Sequence, residues 1–388
     1  MMPPLSRPFP KFPEDPFPDM SGLDELKDAA DRARAERPQV PLALATLHSV
    51  DGSSYRQPGA RLLVDAEARV LAGAVSGGCL EGDVAAHAAA VCASGVPRRL
   101  TYDLSDDLQS IWGFGAMCDG VAHLLLEPLG DSSWLDAACA IRDAREDGAL
   151  VTVLEESVGG GTREWHACEP ALRESACTLM TIARHTALPV TGEITTARDV
   201  VRCLVDPLVA PVSLVLIGAG RGAEAFASIA RTLGWRVTLI DHRPFVLQSV
   251  SLPADVTRVA ARAEDGLAHV TCDSRTAVAL LSHQFAVDAE WLERLLPLSL
   301  GYVGVLGSRQ RAAKLVDSLR AGGFEITTRM EDVLHAPIGL DLGGESPESI
   351  ALATIAEIEA VMHRRPGGAL RERESPIHTR TPTPHRTQ

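Results

Sequence analysis

Two cysteines stand beside glycines, in surroundings that can expose a sulfur atom to a ligand. In the segment AGAVSGGCLEGD, Gly77 and Gly78 precede Cys79 where the next helix is predicted to begin. The backbone N–H groups and the dipole of a helix start favour an anion, and the same field favours the thiolate form of Cys79. Glu81 is predicted to lie one turn inside this helix. These four residues are candidates for binding a cofactor.

The second cysteine, Cys118, lies in the segment IWGFGAMCDGVAHLLLEP, on a loop between glycines that precedes a strand. A loop of this kind gives a thiol better access to a ligand than the interior of a strand does. For Cys118 and Cys79 alike, the alternative is a buried thiol that acts as a small apolar group. The other six cysteines are scattered and form no C-x-x-C pair, so the sequence predicts neither a structural zinc site nor a disulfide framework.

A further glycine-rich segment, GAGRGAEAFASIARTLG (218–234), follows the apolar run VSLVLIG and opens a helix. Gly218, Gly220 and Ala223 have the G-x-G-x-x-G/A spacing of a dinucleotide-binding turn, and Asp241 ends the next strand, where an acid accepts hydrogen bonds from a ribose hydroxyl. The pattern predicts a Rossmann-type domain, with NAD(H) as a candidate ligand. The alternative is that the glycines only satisfy the turn and that the pocket binds another phosphorylated ligand.

Two more candidates follow a later strand of the same domain. Gly307 and Arg309 are predicted to lie at the carboxyl edge of the sheet, where doubly wound folds bind their ligands. The planar guanidinium of Arg309 is suited to a phosphate, which it would bind through two parallel hydrogen bonds. The alternative is a solvated arginine beside a loop.

The elements predicted to position these residues form two α/β parts. In the first part, a helix is predicted from Ser21 to about Arg37 and another over 80–95. Strands of this part are predicted at 40–47, 61–65, 69–75, 98–104 and 121–126. In the region that follows, the pattern predicts only a helix near 134–146 and a strand at 149–154.

From residue 212 onwards, strands and helices alternate, which is typical of a parallel, doubly wound sheet. Ser346 and Pro347 predict the start of a last helix that runs to about His363. The predicted organisation is a disordered proline-rich leader at 1–20, an α/β domain at 21–130, a connector at 131–205, a Rossmann-like domain at 206–365 and a disordered tail at 366–388.

The composition restricts the function. The 388 residues carry 37 basic and 51 acidic side chains, a net charge of −14, which argues against a surface devoted to nucleic acid. Aromatic residues make up only 4% of the chain, so base-stacking platforms are not expected either. No apolar run is long enough to span a membrane, and the leader lacks the apolar core of a signal peptide. The sequence therefore predicts a cytoplasmic protein.

Five motifs, taken in order, resemble those of the XdhC/CoxI family, the accessory proteins that mature xanthine dehydrogenase and related molybdenum hydroxylases. The family typically shows G-S-x-x-R-x-P-G-A, G-G-C-x-E, C-G-G, Y-V-G-x-L-G-S-R and P-I-G-L-D-I-G with a following P-E-E-I-A. This chain has GSSYRQPGA (52–60), GGCLE (77–81), CDG (118–120), YVGVLGSR (302–309) and PIGLDLGG (337–344) followed by PESIA. The resemblance covers roughly residues 40–365.

The resemblance implies an N-terminal domain of the XdhC/CoxI type and a C-terminal Rossmann-like doubly wound sheet. It implies a chaperone that binds molybdenum cofactor (molybdopterin), with Cys118 as the metal ligand and Cys79 as the second candidate. It further implies that a cysteine desulfurase and an apo molybdenum hydroxylase of the xanthine dehydrogenase type are partners, that the protein turns over no metabolite of its own, and that it is a homodimer.

One departure from the family pattern concerns the proposed ligand itself, because Asp119 replaces the first glycine after Cys118. A carboxylate beside the thiol disfavours the thiolate and an anionic ligand. Two other functions stay open on the sequence: an NAD- or FAD-dependent oxidoreductase that uses Gly218, Gly220 and Asp241, and a non-catalytic scaffold that bridges proteins.

Overall fold

The computed structural model of the chain describes residues 22–52, 54–104, 120–146, 148–154, 165–166, 179, 182–183, 188–195 and 200–374. These residues form two compact units, which meet in the sequence between Ala210 and Pro211. The predicted leader lies outside the described residues, as does the tail beyond residue 374. The part of the predicted tail that is described contains a short 3-10 turn, Leu370–Glu372.

The first half of the N-terminal unit is an antiparallel sheet with one helix on each face. Its elements are α1 (Gly22–Glu36), β1 (Leu42–Gly52), β2 (Arg61–Asp65), β3 (Val70–Gly73), α2 (Glu81–Ser94), β4 (Arg98–Asp103) and β5 (Gly120–Pro128). The strands lie in the order β3-β2-β1-β5-β4. Alternate residues of β1 face opposite sides: Ala43 and Leu47 belong to the apolar cluster under α2, whereas Leu42 belongs to the cluster that contains α1.

A second antiparallel sheet completes this unit. The chain continues through α3 (Ser133–Asp143), β6 (Gly148–Val153), β7 (Trp165–His166), β8 (Val190–Thr195) and β9 (Val200–Leu208). Its strands lie in the order β7-β6-β9-β8. The helix and the strand predicted near 134–146 and 149–154 are confirmed, whereas the sequence does not predict β7, β8 and β9.

The two sheets pack against each other inside the N-terminal unit. Leu125 of the first sheet contacts Leu154 and Leu204 in one apolar cluster. A buried ion pair also joins them, with 2.7 Å between Arg61 Nη1 and Asp206 Oδ2. The described residues of the region 131–205, which the sequence alone predicts as a connector, therefore contribute a layer to the same unit as the first sheet.

The C-terminal unit is a parallel sheet with helices on both faces. Its elements are β10 (Ser213–Ile217), α4 (Ala223–Thr232), β11 (Arg236–Ile240), α5 (Pro244–Ser249), β12 (Thr257–Val259), α6 (Ala263–Gly266), β13 (Thr276–Leu280), α7 (Phe285–Leu295), β14 (Tyr302–Val305), α8 (Arg309–Ala321), α9 (Thr328–Val333), β15 (Leu334–His335) and α10 (Pro347–Met362). The strand order is β12-β11-β10-β13-β14-β15. Numbered within this unit, the order is 3-2-1-4-5-6, the doubly wound order of dinucleotide-binding folds, so the predicted fold class is confirmed.

Local signals account for the ends of several of these elements. Ser346 caps α10, because its hydroxyl accepts a hydrogen bond from the N–H of Ser349 at 3.1 Å, and Pro347 occupies the first helical position, as predicted. The glycine turn at Gly218 joins the buried strand β10 to α4. No helix among the described residues is both long and apolar enough to cross a lipid bilayer.

Candidate functional site

The GSSYRQPGA and GGCLE segments of the N-terminal unit lie against each other. Tyr55, in the loop after β1, packs over Gly77, since a Cβ built on Gly77 would lie 3.3 Å from the Tyr55 ring. Gly78 has a φ of +105°, and a Cβ built there would meet nothing within 4 Å. The structure therefore brings the two motifs together and leaves the backbone beside Cys79 open.

A hydroxyl and a carboxylate fold the segment before α2 into a tight turn around Cys79. The N–H of Ser76 donates to Glu81 Oε1 at 2.7 Å, and the Ser76 hydroxyl donates to Glu81 Oε2. The same hydroxyl accepts from the N–H groups of Gly78 at 3.2 Å and Leu80 at 3.1 Å. Cys79 Sγ lies 3.6 Å from it. The half-buried sulfur is thus held in a fixed place by its own loop.

Glu81 has a different position from the one predicted. Helix α2 begins at Glu81, so this residue is the first of the helix and not one turn inside it. Burial alone would raise the pKa of Glu81, but the hydrogen bonds from the hydroxyl and N–H of Ser76 outweigh burial and lower it. Glu81 is therefore an ionised group that holds the turn together, and its role as a ligand-binding residue stays a prediction.

Cys118 and Asp119 lie outside the described residues. The described chain stops at Leu104 and resumes at Gly120, and these two ends are adjacent, because the N–H of Leu104 donates to the Gly120 carbonyl at 2.9 Å. Gly120 also lies opposite Gly52 in the register of β5 with β1. The role of Cys118 as a metal ligand stays a prediction.

Other described cysteines lack the surroundings of Cys79. Burial raises the pKa of Cys92 and of Cys139 to about 11 and that of Cys203 to about 12. Burial also raises the pKa of Cys272. These thiols stay protonated at neutral pH and act as small apolar groups. Within the described ranges, no three His, Cys, Asp or Glu side chains converge on a point that would hold a metal ion.

The two glycines in the turn of the C-terminal unit differ in the space around them. Gly218 has a φ of +108°, and a Cβ built there would lie 2.8 Å from Ser282 Cα in the backbone that follows β13. A Cβ on Gly220 would find its nearest neighbour, the Leu281 carbonyl oxygen, at 3.9 Å. Gly218 is thus required by the fold, whereas Gly220 leaves space for a ligand beside the backbone.

This difference predicts opposite results for two alanine substitutions. Gly218→Ala combines an unfavourable φ with a clash against backbone, so we expect the free energy of unfolding to fall by about 2–4 kcal/mol in urea denaturation. Gly220→Ala meets no close neighbour and should stay within about 0.5 kcal/mol of the wild type. Equal losses for both variants would contradict this assignment.

Asp241 lies at the predicted place, at the end of β11, but its carboxylate is already engaged. Oδ2 accepts from the N–H of Ala219 at 2.7 Å and from Arg243 Nη2 at 2.8 Å, while Oδ1 accepts from the N–H and the Nε of Arg243, both at 2.9 Å. Burial would raise the pKa of Asp241, but these bonds lower it to about 2. A ribose hydroxyl would have to displace Arg243 to reach Asp241, so the predicted ribose contact stays a prediction.

Arg309 is exposed at the start of α8, after the strand that Gly307 follows. Ser308 caps the helix by accepting from the N–H of Arg311 at 3.2 Å. It is Arg311, and not Arg309, that makes an ion pair at this edge, since its Nη2 lies 2.6 Å from Oδ2 of the fully buried Asp288. Sequence reasoning missed this pair, although an acid on the buried face of a predicted helix is a signal for it.

Two family models match the chain in the order of its two units. The model described as the XdhC and CoxI family matches residues 35–103, and the XdhC Rossmann domain matches residues 214–358. Together they cover more than half of the 388 residues. The chain belongs to the XdhC/CoxI family. The resemblance stated from the sequence motifs is thereby confirmed.

Curated proteins related to this XdhC/CoxI protein match most of its length. A Bacillus subtilis protein, named as a probable xanthine dehydrogenase subunit, is 27% identical over 329 residues, which cover 82% of this chain and 93% of the relative. The Escherichia coli molybdenum cofactor insertion chaperone PaoD is 26% identical over 320 residues, 82% of each chain. A crystal structure from Bacillus halodurans, described as a xanthine dehydrogenase, is 24% identical with a TM-score of 0.67, covering 92% of this chain and 98% of the other, and shows the same fold.

One buried cluster of this XdhC/CoxI protein explains why two family motifs lie close together. Glu357 of α10 accepts from the Tyr302 hydroxyl at 2.6 Å, from the N–H of Gly339 at 2.8 Å and from His335 Nδ1 at 3.2 Å. The rings of Tyr302 and His335 stack with centroids 4.3 Å apart. The YVGVLGSR and PIGLDLGG segments are thus joined through one carboxylate. Sequence reasoning missed Glu357, although an acid within the apolar helix sequence IALATIAEIEAVM is a signal for it.

Proposed function

We propose that this protein is a molybdenum cofactor chaperone that carries molybdopterin cofactor to an apo hydroxylase of the xanthine dehydrogenase type. The observation that carries the proposal is the half-buried Cys79 sulfur, held beside the open backbone of Gly78. A thiolate is a soft ligand for a thiophilic metal, and backbone N–H groups in a tight glycine turn suit the phosphate of the pterin.

The names of two relatives support a role in maturation. One, from Escherichia coli, is named a molybdenum cofactor insertion chaperone, and another, from Bacillus subtilis, carries the name of a probable part of xanthine dehydrogenase. We propose that a cysteine desulfurase is a further partner, which would replace an oxo ligand of the carried cofactor by sulfido before delivery. In this function the protein holds and shields its cargo and turns over no metabolite.

Within the N-terminal unit, different residues would have different parts in holding such a cargo. Ser76 and Glu81 fix the turn, so that Cys79 presents its sulfur without a large loss of side-chain freedom on binding. Cys118 would supply a second sulfur. Independently of this turn, Gly220 of the Rossmann unit leaves room beside its own backbone for a phosphorylated ligand, with NAD(H) as one candidate.

Retention of cofactor by purified variants tests the proposal. We expect the full-length wild type, incubated with molybdenum cofactor and passed through a desalting column, to retain pterin, measured by the fluorescence of the oxidised pterin. Cys79→Ala or Cys118→Ala should reduce retention about tenfold or more, because each removes a sulfur ligand. Cys92→Ala is the matched control, since its buried thiol is protonated, and it should retain the wild-type amount.

The same columns, run with NAD and NADP, distinguish the other functions. Retention of NAD alone, with substrate-dependent reduction, would favour the oxidoreductase and contradict the chaperone. Retention of no ligand would leave a protein-bridging scaffold. We also propose a cytoplasmic homodimer, for which light scattering of the full-length protein should give twice the chain mass.

A further inference from the structure

Arginine side chains project from both sheets of the N-terminal unit towards the space between them. On β9, alternate residues face the first sheet: Asp206 pairs with Arg61, and Leu204 packs against Leu125. Arg202 has the same parity along the strand and therefore points the same way. Along this face of β9, the buried Asp206 and Leu204 are therefore followed by the exposed guanidinium of Arg202.

Strand β4 contributes a second guanidinium from the first sheet. Thr101 Oγ1 lies 3.1 Å from His123 Nδ1, which places Thr101 on the face that looks towards the second sheet. Arg99 is two residues earlier and lies on that face too. Tyr102 lies on the other face, where its hydroxyl donates to Asp83 of α2 at 2.5 Å.

A buried imidazole lies within electrostatic reach of these two arginines. His48 is 8% exposed, and its Nδ1 is buried with no hydrogen-bond partner among the described residues. Its ring stacks on that of His123, with centroids 6.1 Å apart, and its carbonyl accepts from the Thr191 hydroxyl at 2.6 Å. Burial first, and then the charges of Arg202, His123 and Arg99, lower the pKa of His48 to about 4. The imidazole is therefore neutral at pH 7 and still has one polar atom to satisfy.

Two described acids near this cluster, Asp51 and Glu193, form no ion pair with its arginines. Asp51 lies 3.2 Å from His123 Nε2 and is 79% exposed. Glu193 lies opposite Arg202 in the register of β8 with β9, yet forms no ion pair with it. Across the described ranges, the guanidinium groups of Arg202 and Arg99 have no hydrogen-bond or ion-pair partner.

We propose that Arg99 and Arg202 form a binding site for a tetrahedral dianion of the phosphate class, beside His48 at the edge between the two sheets. Two guanidiniums bind such an anion through paired, charge-assisted hydrogen bonds. The site lies on the side of the first sheet opposite α2 and the Cys79 turn, so it does not depend on the proposed carriage of cofactor.

Calorimetric titration of the full-length protein tests this site, with inorganic phosphate and phenyl phosphate as probes and ionic strength held constant with sodium chloride. Saturable binding with one site per chain is expected. Arg99→Gln and Arg202→Gln should each weaken binding about tenfold or more. Arg98→Gln is the matched control, because Arg98 lies on the other face of β4, 2.8 Å from His87 Nδ1, and it should bind as the wild type does.

The two probes distinguish the source of the anion. Tighter binding of phenyl phosphate indicates the phosphoryl group of an organic ligand, and binding of inorganic phosphate alone indicates the free ion; both support the site. No saturable binding, or equal weakening by Arg98→Gln, would overturn it. Since both arginines are exposed, the variants should melt with the wild type, and Cys79→Ala should bind phosphate normally, which keeps this test separate from that of the cofactor.

Discussion

Replacing Asp206 by alanine is expected to lower the free energy of unfolding by about 3–5 kcal/mol. Asp206 and Arg61 are the buried pair between the two sheets, with 1% and 5% of their side chains exposed. Burial raises the pKa of Asp206, and the charge of Arg61 opposes that rise. Truncation of the carboxylate would leave the guanidinium buried without a counter-charge, which is the costly result. Urea denaturation of the variant and the wild type measures the loss.

The Arg61–Asp206 pair also predicts what happens when both of its residues are replaced by apolar ones. Arg61 Nη2 and Asp206 Oδ1 have no hydrogen-bond partner among the described residues, so the pair does not recover all of its desolvation cost. Arg61→Met combined with Asp206→Leu should therefore restore most of the stability that Asp206→Ala loses. As a control, Asp255→Ala breaks the exposed pair with Arg231 and should change stability by less than about 1 kcal/mol. A double variant as unstable as the single one would contradict this account.

The C-terminal unit could be predicted well because each of its signals is local. The turn at Gly218, the cap at Ser346 and the proline at the first position of α10 all lie within a few residues of the element that they start or end. The second sheet of the N-terminal unit has no such signals. Its central pairing joins β6 to β9 across some fifty residues, and the choice of partner depends on packing that no short segment specifies.

At the candidate site, too, the sequence predicts which polar residues are present but not which partners they bind. The sequence predicts Asp241 at the end of the right strand, but only the structure shows that Arg243 occupies both carboxylate oxygens. It also predicts Glu81 as a ligand-binding residue, whereas the structure shows its carboxylate bound to Ser76. A motif thus predicts where a polar group lies, and the hydrogen bonds that it makes decide how much of it is left for a ligand.

The second large effect concerns Glu357, where removal of the side chain is expected to cost about 3 kcal/mol or more. Glu357→Ala would leave the buried Tyr302 hydroxyl and the Gly339 N–H without their acceptor. Glu357→Gln keeps an oxygen for both donors, and its amide can donate to His335 Nδ1, so a loss of only about 1 kcal/mol is expected. Urea denaturation at pH 7 should therefore rank the two variants in that order.

The charge of Glu357 also predicts a dependence of stability on pH. Burial would raise the pKa of Glu357, but the bonds from His335, Tyr302 and Gly339 outweigh it, so the folded-state pKa lies below the ordinary value of 4.5. A depressed pKa stabilises the folded state above the unfolded-state value, and that stabilisation is lost as the pH falls through the folded-state pKa. The stability difference between wild type and Glu357→Gln should thus shrink as the pH falls below about 4.5. A difference that instead widened in acid would show that the folded protein binds the proton at Glu357 more tightly than the unfolded chain does.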